Sequence, residues 1–318
     1  MKKRTALLLC NALISMSFAT DCHAQPAETA AKTSPAEIQR KVEALKAKTL
    51  RDLVSIKGGT FMMGDFGPID PRASMPYSGD QNDDVLHEVT LSDYSLGAYK
   101  VTYEDFDVFT EATGRERIAQ QEMDRSYRTL PNIAAGVDWQ GAKNYCQWIG
   151  QQVRIRMDLP TEAQWEYAAR NRGKMIVWPT DIGVVENGRN VANFAHYAEF
   201  SSQHNSTGDS SSVGLFPATP LGLYDLIDHG FEWVGDWYSP NYEPSKAINP
   251  TGPTSGSERV QRSHSSRGGD TLAIVSMTIT RFHSNPSPPP QQSALDENST
   301  IPVNQNSSNA FRCVSLDN

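Results

Sequence analysis

Leu159-Pro160-Thr161-Glu162-Ala163-Gln164-Trp165-Glu166-Tyr167-Ala168-Ala169-Arg170 is the densest local signal in this chain. Thr161 and Gln164 stand as a capping box, in which each side chain can satisfy the other's backbone N–H at a helix start. Trp165, Ala168 and Ala169 then recur at helical spacing and put one face inward. Glu162 falls in the first turn, where the helix dipole favours a carboxylate. Glu166 lies one turn further and reads as a packing or salt-bridge residue. The same spacing suits an acid–base pair, but nothing else in the block asks for one.

Further helices lie upstream. Asp138 caps one in which Ala142, Tyr145, Cys146 and Ile149 share a face, and Thr102 caps another that turns Phe106 and Phe109 inward before Gly114 stops it. Ser34-Pro35-Ala36-Glu37 opens a leader helix over Ser34 to about Thr49, with Ile38, Val42 and Leu45 on one side. Leu53–Ile56, Gly58-Gly59 and Thr60–Gly64 read as a glycine-bounded hairpin. His87–Leu91 is a further strand, with His87 at its end. Beyond Arg170 the text is mostly Gly, Pro, Ser and Asn punctuation with scattered tryptophans. An ordered domain with so long an irregular part needs disulfides, bound ions or tryptophan clusters to hold it. Gln291 to Ser308 reads as a mobile excursion, and no internal repeat is present.

The N-terminus predicts export. Lys2, Lys3 and Arg4 precede the apolar stretch Ala6–Phe18, and Cys22-His23-Ala24 forms an A-x-A-like cleavage site. Residues 1–24 are expected to leave as a signal peptide, followed by a linker and leader helix over 25–50 and one domain over 51–318. The chain carries 29 basic and 37 acidic residues; losing Lys2, Lys3, Arg4 and Asp21 leaves 26 and 36, a net charge of −10. That balance argues against nucleic acid, which wants a basic surface. No second apolar run reaches membrane length. Of the four cysteines, Cys146 and Cys313 lie outside the signal. A pair in an oxidising periplasm usually means a bridge, two separate buried thiols being the alternative.

Taken in order, the ordered pieces resemble one family. They are Ile56–Gly64, His87–Leu91, Lys100-Val101-Thr102, Val137-Asp138-Trp139, Ala142–Trp148, Leu159–Arg170, Ala192-Asn193-Phe194, Gly222–Leu226, Phe231-Glu232-Trp233, Asp236-Trp237-Tyr238, Arg267-Gly268-Gly269 and Phe311-Arg312-Cys313. Over residues 51 to 315 the chain looks like the formylglycine-generating enzyme, or sulfatase-modifying-factor, family. The resemblance implies an α+β, C-type-lectin-like fold with much irregular structure, and a Cys146–Cys313 disulfide. It also implies calcium held through Asn193, the Phe194 carbonyl, Asp209 and Ser211. A second family site would run through Asp228-His229-Gly230-Phe231-Glu232, with Glu232 as a ligand, although Asp228 and His229 depart from the family's pattern.

The chemistry of the family is where this chain diverges most. Formylglycine generators carry two copper-binding cysteines after the Gly-Gly that matches Gly268-Gly269. Here Asp270–Arg281 contains none, with Ala273 and Thr278 near the expected places. Cu(I) wants thiolate or thioether ligands, and Met277 alone does not make a site. The histidines outside the signal, His87, His196, His204, His229, His264 and His283, show no ligand spacing, and no Ser-His-Asp signature, P-loop or dinucleotide fingerprint is present. The expectation is therefore a non-catalytic periplasmic binding protein without copper, with no catalytic residues. Its partner would be another protein, and the family resemblance points to an inhibitor or immunity protein against a secreted antibacterial toxin. The alternative is a periplasmic metal-dependent oxidase acting on a peptide or siderophore precursor. Trp178, Trp233, Trp237 and Tyr238 are interface-type residues, with Trp233 and Trp237 assigned to the core. The loops Trp178–Arg189 and Gly269–Pro290 are the expected contact regions.

Overall fold

The computed structural model describes residues 33–316 except 80–82, 121–127, 129, 131, 204–211, 228, 242–246, 264–275, 288–290, 293–299 and 302–308. The capping signals read from the sequence form as expected. Helix α1 (Pro35–Arg51) buries Val42 and Leu45. Helix α2 (Tyr103–Thr113) begins in a reciprocal capping box between Thr102 and Asp105 and ends at Gly114, whose φ of 67° is the left-handed stop that glycine permits. Asp138 accepts the Gly141 N–H at 2.6 Å to start α3 (Trp139–Val153). Thr161 and Gln164 exchange their bonds at the head of α4 (Glu162–Ala169), in which every residue except Gln164 is buried, both glutamates included. A fifth helix, α5, spans Phe194–Gln203.

Among the described residues, thirteen short strands run between them. An antiparallel sheet has the order β1 (Leu53–Ile56), β4 (Tyr94–Gly97), β13 (Val314–Ser315), β5 (Met157–Asp158). A second holds β2 (Gly59–Met63), β3 (His87–Leu91) and β7 (Ala247–Ile248). A third is ordered β12 (Asn309–Ala310), β6 (Phe231–Trp237), β8 (Arg259–Arg262), β9 (Phe282–Ser284). Strands β10 (Gln291–Gln292) and β11 (Thr300–Ile301) pair with each other. The expected excursion from Gln291 to Ser308 otherwise lies outside the described residues.

The hairpin expected around Gly58-Gly59 is corrected. β1 pairs with β4, β2 pairs with β3, and the two glycines carry the chain from one sheet to the next. A Cβ on Gly58 would lie 2.1 Å from the Leu91 carbonyl oxygen, so glycine is needed there for close approach of two backbones.

Two apolar centres anchor the domain. One gathers Phe106, Phe109, Tyr145, Trp233 and Phe311 where α1, α2 and α3 meet the sheets. The other packs α4, through Trp165, Ala168 and Ala169, against Ile56, Val89, Leu96 and Val260 of the sheets. Cys146 of α3 is bonded to Cys313, with Cα atoms 5.4 Å apart and a sequence separation of 167. Closing a loop of that length stabilises by about 5 kcal/mol in the chain-entropy account. Among the described residues, no helix is long and apolar enough to cross a membrane.

Candidate binding cleft

A cleft of about 800 Å³ opens at the head of α4, where the end of β6, Arg281 and the 250–253 loop converge. Met63, Ala163, Trp237, Pro250 and Pro253 supply apolar wall, and His87, Glu162, Asp236 and Arg281 supply the charged and titratable groups. The register of β6 against β8 shifts between Trp233 and Trp237, and an irregularity of this kind re-aims the side chains that follow it. Trp233 stays in the core, donating its indole N–H to the Val137 carbonyl at 2.9 Å. Trp237, assigned to the core from sequence, is half-buried and lines the cleft. Asp236 accepts the Glu162 N–H at 2.8 Å, taking one of the donors that a helix start leaves unpaired. Gly252 closes the loop over this carboxylate. Its φ is 70°, and a Cβ there would lie 2.9 Å from that of Asp236, so no other residue fits both demands.

Buried ion pairs hold the floor rigid. Glu162 receives Arg281 through Nε at 2.7 Å and Nη2 at 3.0 Å, and Arg262 through Nη1 at 2.8 Å. Glu166 receives Arg170 at 2.8 Å and Arg262 at 3.0 Å. Glu166 is thus the salt-bridge residue its position suggested, while Glu162 is a cleft residue as well as a first-turn carboxylate. Burial pushes the Glu162 pKa up, but Arg281 and Arg262 outweigh it and hold the group below the ordinary carboxylate value. Asp236 goes the other way. Burial, reinforced by the Glu162 charge, raises it to about 7, and Arg281 and Arg259 offset only part of that. Arg259 is stacked between Trp139 and Trp237, its guanidinium carbon 3.7 and 3.4 Å from the ring centroids. Burial lowers its pKa to about 10.

The residues expected to carry function are dispersed. The disulfide Cys146–Cys313 is present, and it ties up both cysteines among the described residues. Thr278, at one of the copper-ligand places, is fully buried and donates its hydroxyl to the Ile176 carbonyl at 2.7 Å. Ala273 lies outside the described residues. This donor set does not fit Cu(I). Glu232, expected as a metal ligand, is instead the counter-ion of a buried cluster. Arg312 grips it bidentately at 2.7 and 2.8 Å, the Trp165 indole donates at 3.0 Å, and Lys100 Nζ lies 3.6 Å away. A second cation would have to displace those already there. Lys100 Nζ also donates to the Gly230 carbonyl, within the motif that was to bind the ion.

The other calcium ligands are placed only in part. Asn193 Oδ1 accepts the His196 N–H at 3.1 Å and meets His196 Nδ1 at 2.7 Å, so it caps α5. Phe194 is the first residue of that helix. Asp209 and Ser211 lie outside the described residues. Oxygen donors of this kind suit a hard cation, but the described residues do not bring the set together, and no group of three His, Cys, Asp or Glu among them could hold a metal. His87 opens β3, as expected, with Nδ1 2.8 Å from the Val85 carbonyl. Trp178 packs half-buried between two small apolar clusters.

Sequence reasoning missed Asp236 and Arg281 as site residues. Asp236 was visible only as part of a family motif, and Arg281 reaches Glu162 across 119 positions. The one usable signal was the density of acidic and aromatic residues over Glu232–Tyr238.

Comparison with known proteins agrees with this architecture. Residues 38–315 match the family model described as the sulfatase-modifying factor enzyme 1-like domain. The serine/threonine-protein kinase Pkn1 of Chlamydia trachomatis is 32% identical over 247 residues, covering 71% of this chain and 35% of the kinase. The chain thus spans about a third of the length of that relative. The formylglycine-generating enzyme of Streptomyces coelicolor is 28% identical over 282 residues, covering 73% of this chain and 84% of that enzyme. Among solved structures, PvdO from Pseudomonas aeruginosa superposes with a TM-score of 0.56 at 22% identity, covering 83% of this chain and 93% of PvdO, a likeness of fold.

Proposed function

The chain belongs to the sulfatase-modifying factor enzyme 1-like family, and from that premise we propose that it is a non-catalytic binding protein whose cleft recognises a segment of another protein. One observation carries the reading. The cleft is open at about 800 Å³, while both cysteines of the described chain are locked together elsewhere, so the recess has no thiol to react with. What remains suits recognition: apolar walls, a few fixed polar groups, and a floor held by buried ion pairs. The partner class we assign is a secreted antibacterial effector met in the periplasm, with this protein as its inhibitor. The predicted signal peptide supports that compartment. Calcium is retained as a proposed structural ion at Asn193, the Phe194 carbonyl, Asp209 and Ser211, where binding would require Asn193 to release His196.

The test combines capture with chemistry. Tagged mature protein incubated with a neighbouring gene's effector should form a one-to-one complex, and Asn241→Trp, at the exposed rim of the cleft, should weaken it. The protein should take up no stoichiometric Cu(I) and should not convert a sulfatase-motif peptide. Oxygen consumption on a small peptide substrate, with no complex formed, would overturn the binding reading in favour of a periplasmic oxidase.

A further inference from the structure

We propose that the cleft receives a cationic side chain, an arginine or lysine presented by the bound partner, with Asp236 as its counter-ion. The inference deepens the reading of the cleft as a recognition site and rests on it.

Asp236 is 4% exposed and lines the recess. Its hydrogen bond comes from the neutral Glu162 N–H, and among the described residues no cation stands within ion-pair distance of it. The nearby cations make their hydrogen bonds elsewhere, apart from the Arg259 Nε, which has none, and Arg281 and Arg259 offset the raised Asp236 pKa only in part. Arg281 spends Nε and Nη2 on Glu162, and Nη1 on the Asp83 and Ser239 carbonyls at 2.6 and 3.1 Å. Arg259 gives Nη1 to the Gly235 carbonyl at 2.7 Å from between its two tryptophans. Arg262 is divided between Glu162 and Glu166. A buried carboxyl with no cation in ion-pair contact costs free energy that an incoming cation recovers. Met63, Trp237, Pro250 and Pro253 offer apolar surface along which the methylene stem of such a side chain can lie.

The arrangement sets a pH dependence. The groups around Asp236 are Glu162, Arg281, Arg259 and, across the cleft, His87. With Asp236 protonated below about 7, a cation can pair with it only after that proton leaves. Affinity should therefore rise about tenfold from pH 6 to pH 8, following the ionised fraction of this group. The Asp236→Asn variant below isolates the contribution of this one carboxyl.

The probe is the pentapeptide Gly-Ala-Arg-Ala-Gly, titrated calorimetrically into the full chain at pH 6 and pH 8. The comparison peptide carries citrulline, which keeps the shape and removes the charge. The arginine peptide should bind about tenfold more tightly at pH 8, and the citrulline peptide should bind weakly with no such slope. Asp236→Asn should lose the slope while keeping a cooperative melt, and Asn241→Trp should block binding without touching Asp236. Equal binding of the two peptides, no binding of either, or a slope that survives in Asp236→Asn overturns the proposal. A partner complex that forms normally with Asp236→Asn would also overturn it, yet leave the binding reading standing.

Discussion

Replacing Asp236 by Asn should stabilise this protein at neutral and alkaline pH, and the size of the effect follows from the burial of one carboxyl. In the folded chain Asp236 titrates at about 7, against 3.8 for an ordinary aspartate. A raised acid pKa means that the folded state holds a proton the unfolded chain has already released. Between those two values stability must fall as pH rises; below 3.8 both states are protonated and the group contributes nothing. Above about 7 the accumulated cost is the difference of roughly three pKa units at 1.36 kcal/mol each, or about 4 kcal/mol. Asn cannot ionise, yet its side-chain oxygen can accept the same Glu162 N–H. The stability difference between Asp236→Asn and the parent should therefore grow by about 4 kcal/mol from pH 4 to pH 8 and level off above. Denaturant unfolding across that range measures it, with the midpoint moving at constant slope. A difference that does not change with pH, or a variant less stable than the parent at pH 8, would refute the assignment of a destabilised carboxyl.

Other outcomes follow from the same structure. Cys146→Ser with Cys313→Ser should lose about 5 kcal/mol of unfolding free energy, and thiol titration of the unreduced parent should find no free sulfhydryl on this pair. Glu232→Ala leaves Arg312 and Lys100 buried without their anion, so a loss of about 3–5 kcal/mol is expected. That loss should be the same in chelator and in calcium; a calcium-dependent loss would return Glu232 to the metal ligands. If the 193–211 segment holds calcium, chelation lowers the melting temperature and a hundredfold excess over Kd restores about 2.7 kcal/mol. Identical melting curves would remove that ion.

What could be read from the sequence was local. Thr102, Asp138 and Thr161 announced their helices because a cap and its partner lie three residues apart, within one turn. His87 at a strand end and Glu166 as a salt-bridge residue also came out of neighbouring text. The hairpin failed because Gly58 looks the same whether it makes a turn or lets two backbones pass, and only the partner strand distinguishes them. The cleft was hidden for a similar reason. Asp236 meets Glu162 across 74 positions, and no periodicity encodes a meeting at that distance. Glu232 is a different case. The family motif was read correctly as a sequence, but Lys100 and Arg312 already supply the positive charge there, and they come from distant parts of the chain.

The disposition of the final strand has a consequence for synthesis and truncation. β13 lies inside its sheet, between β4 and β5, and Arg312 beside it reaches back 215 positions to the Gly97 carbonyl. Until those residues emerge, β4 and β5 have no strand to join them, Glu232 lacks its bidentate cation, and Cys146 has no sulfur to meet. A chain cut at residue 310 would lose all three together, so premature termination there acts on the interior and not on a dispensable tail. Assembly must wait for contacts of high sequence separation, which makes folding slow.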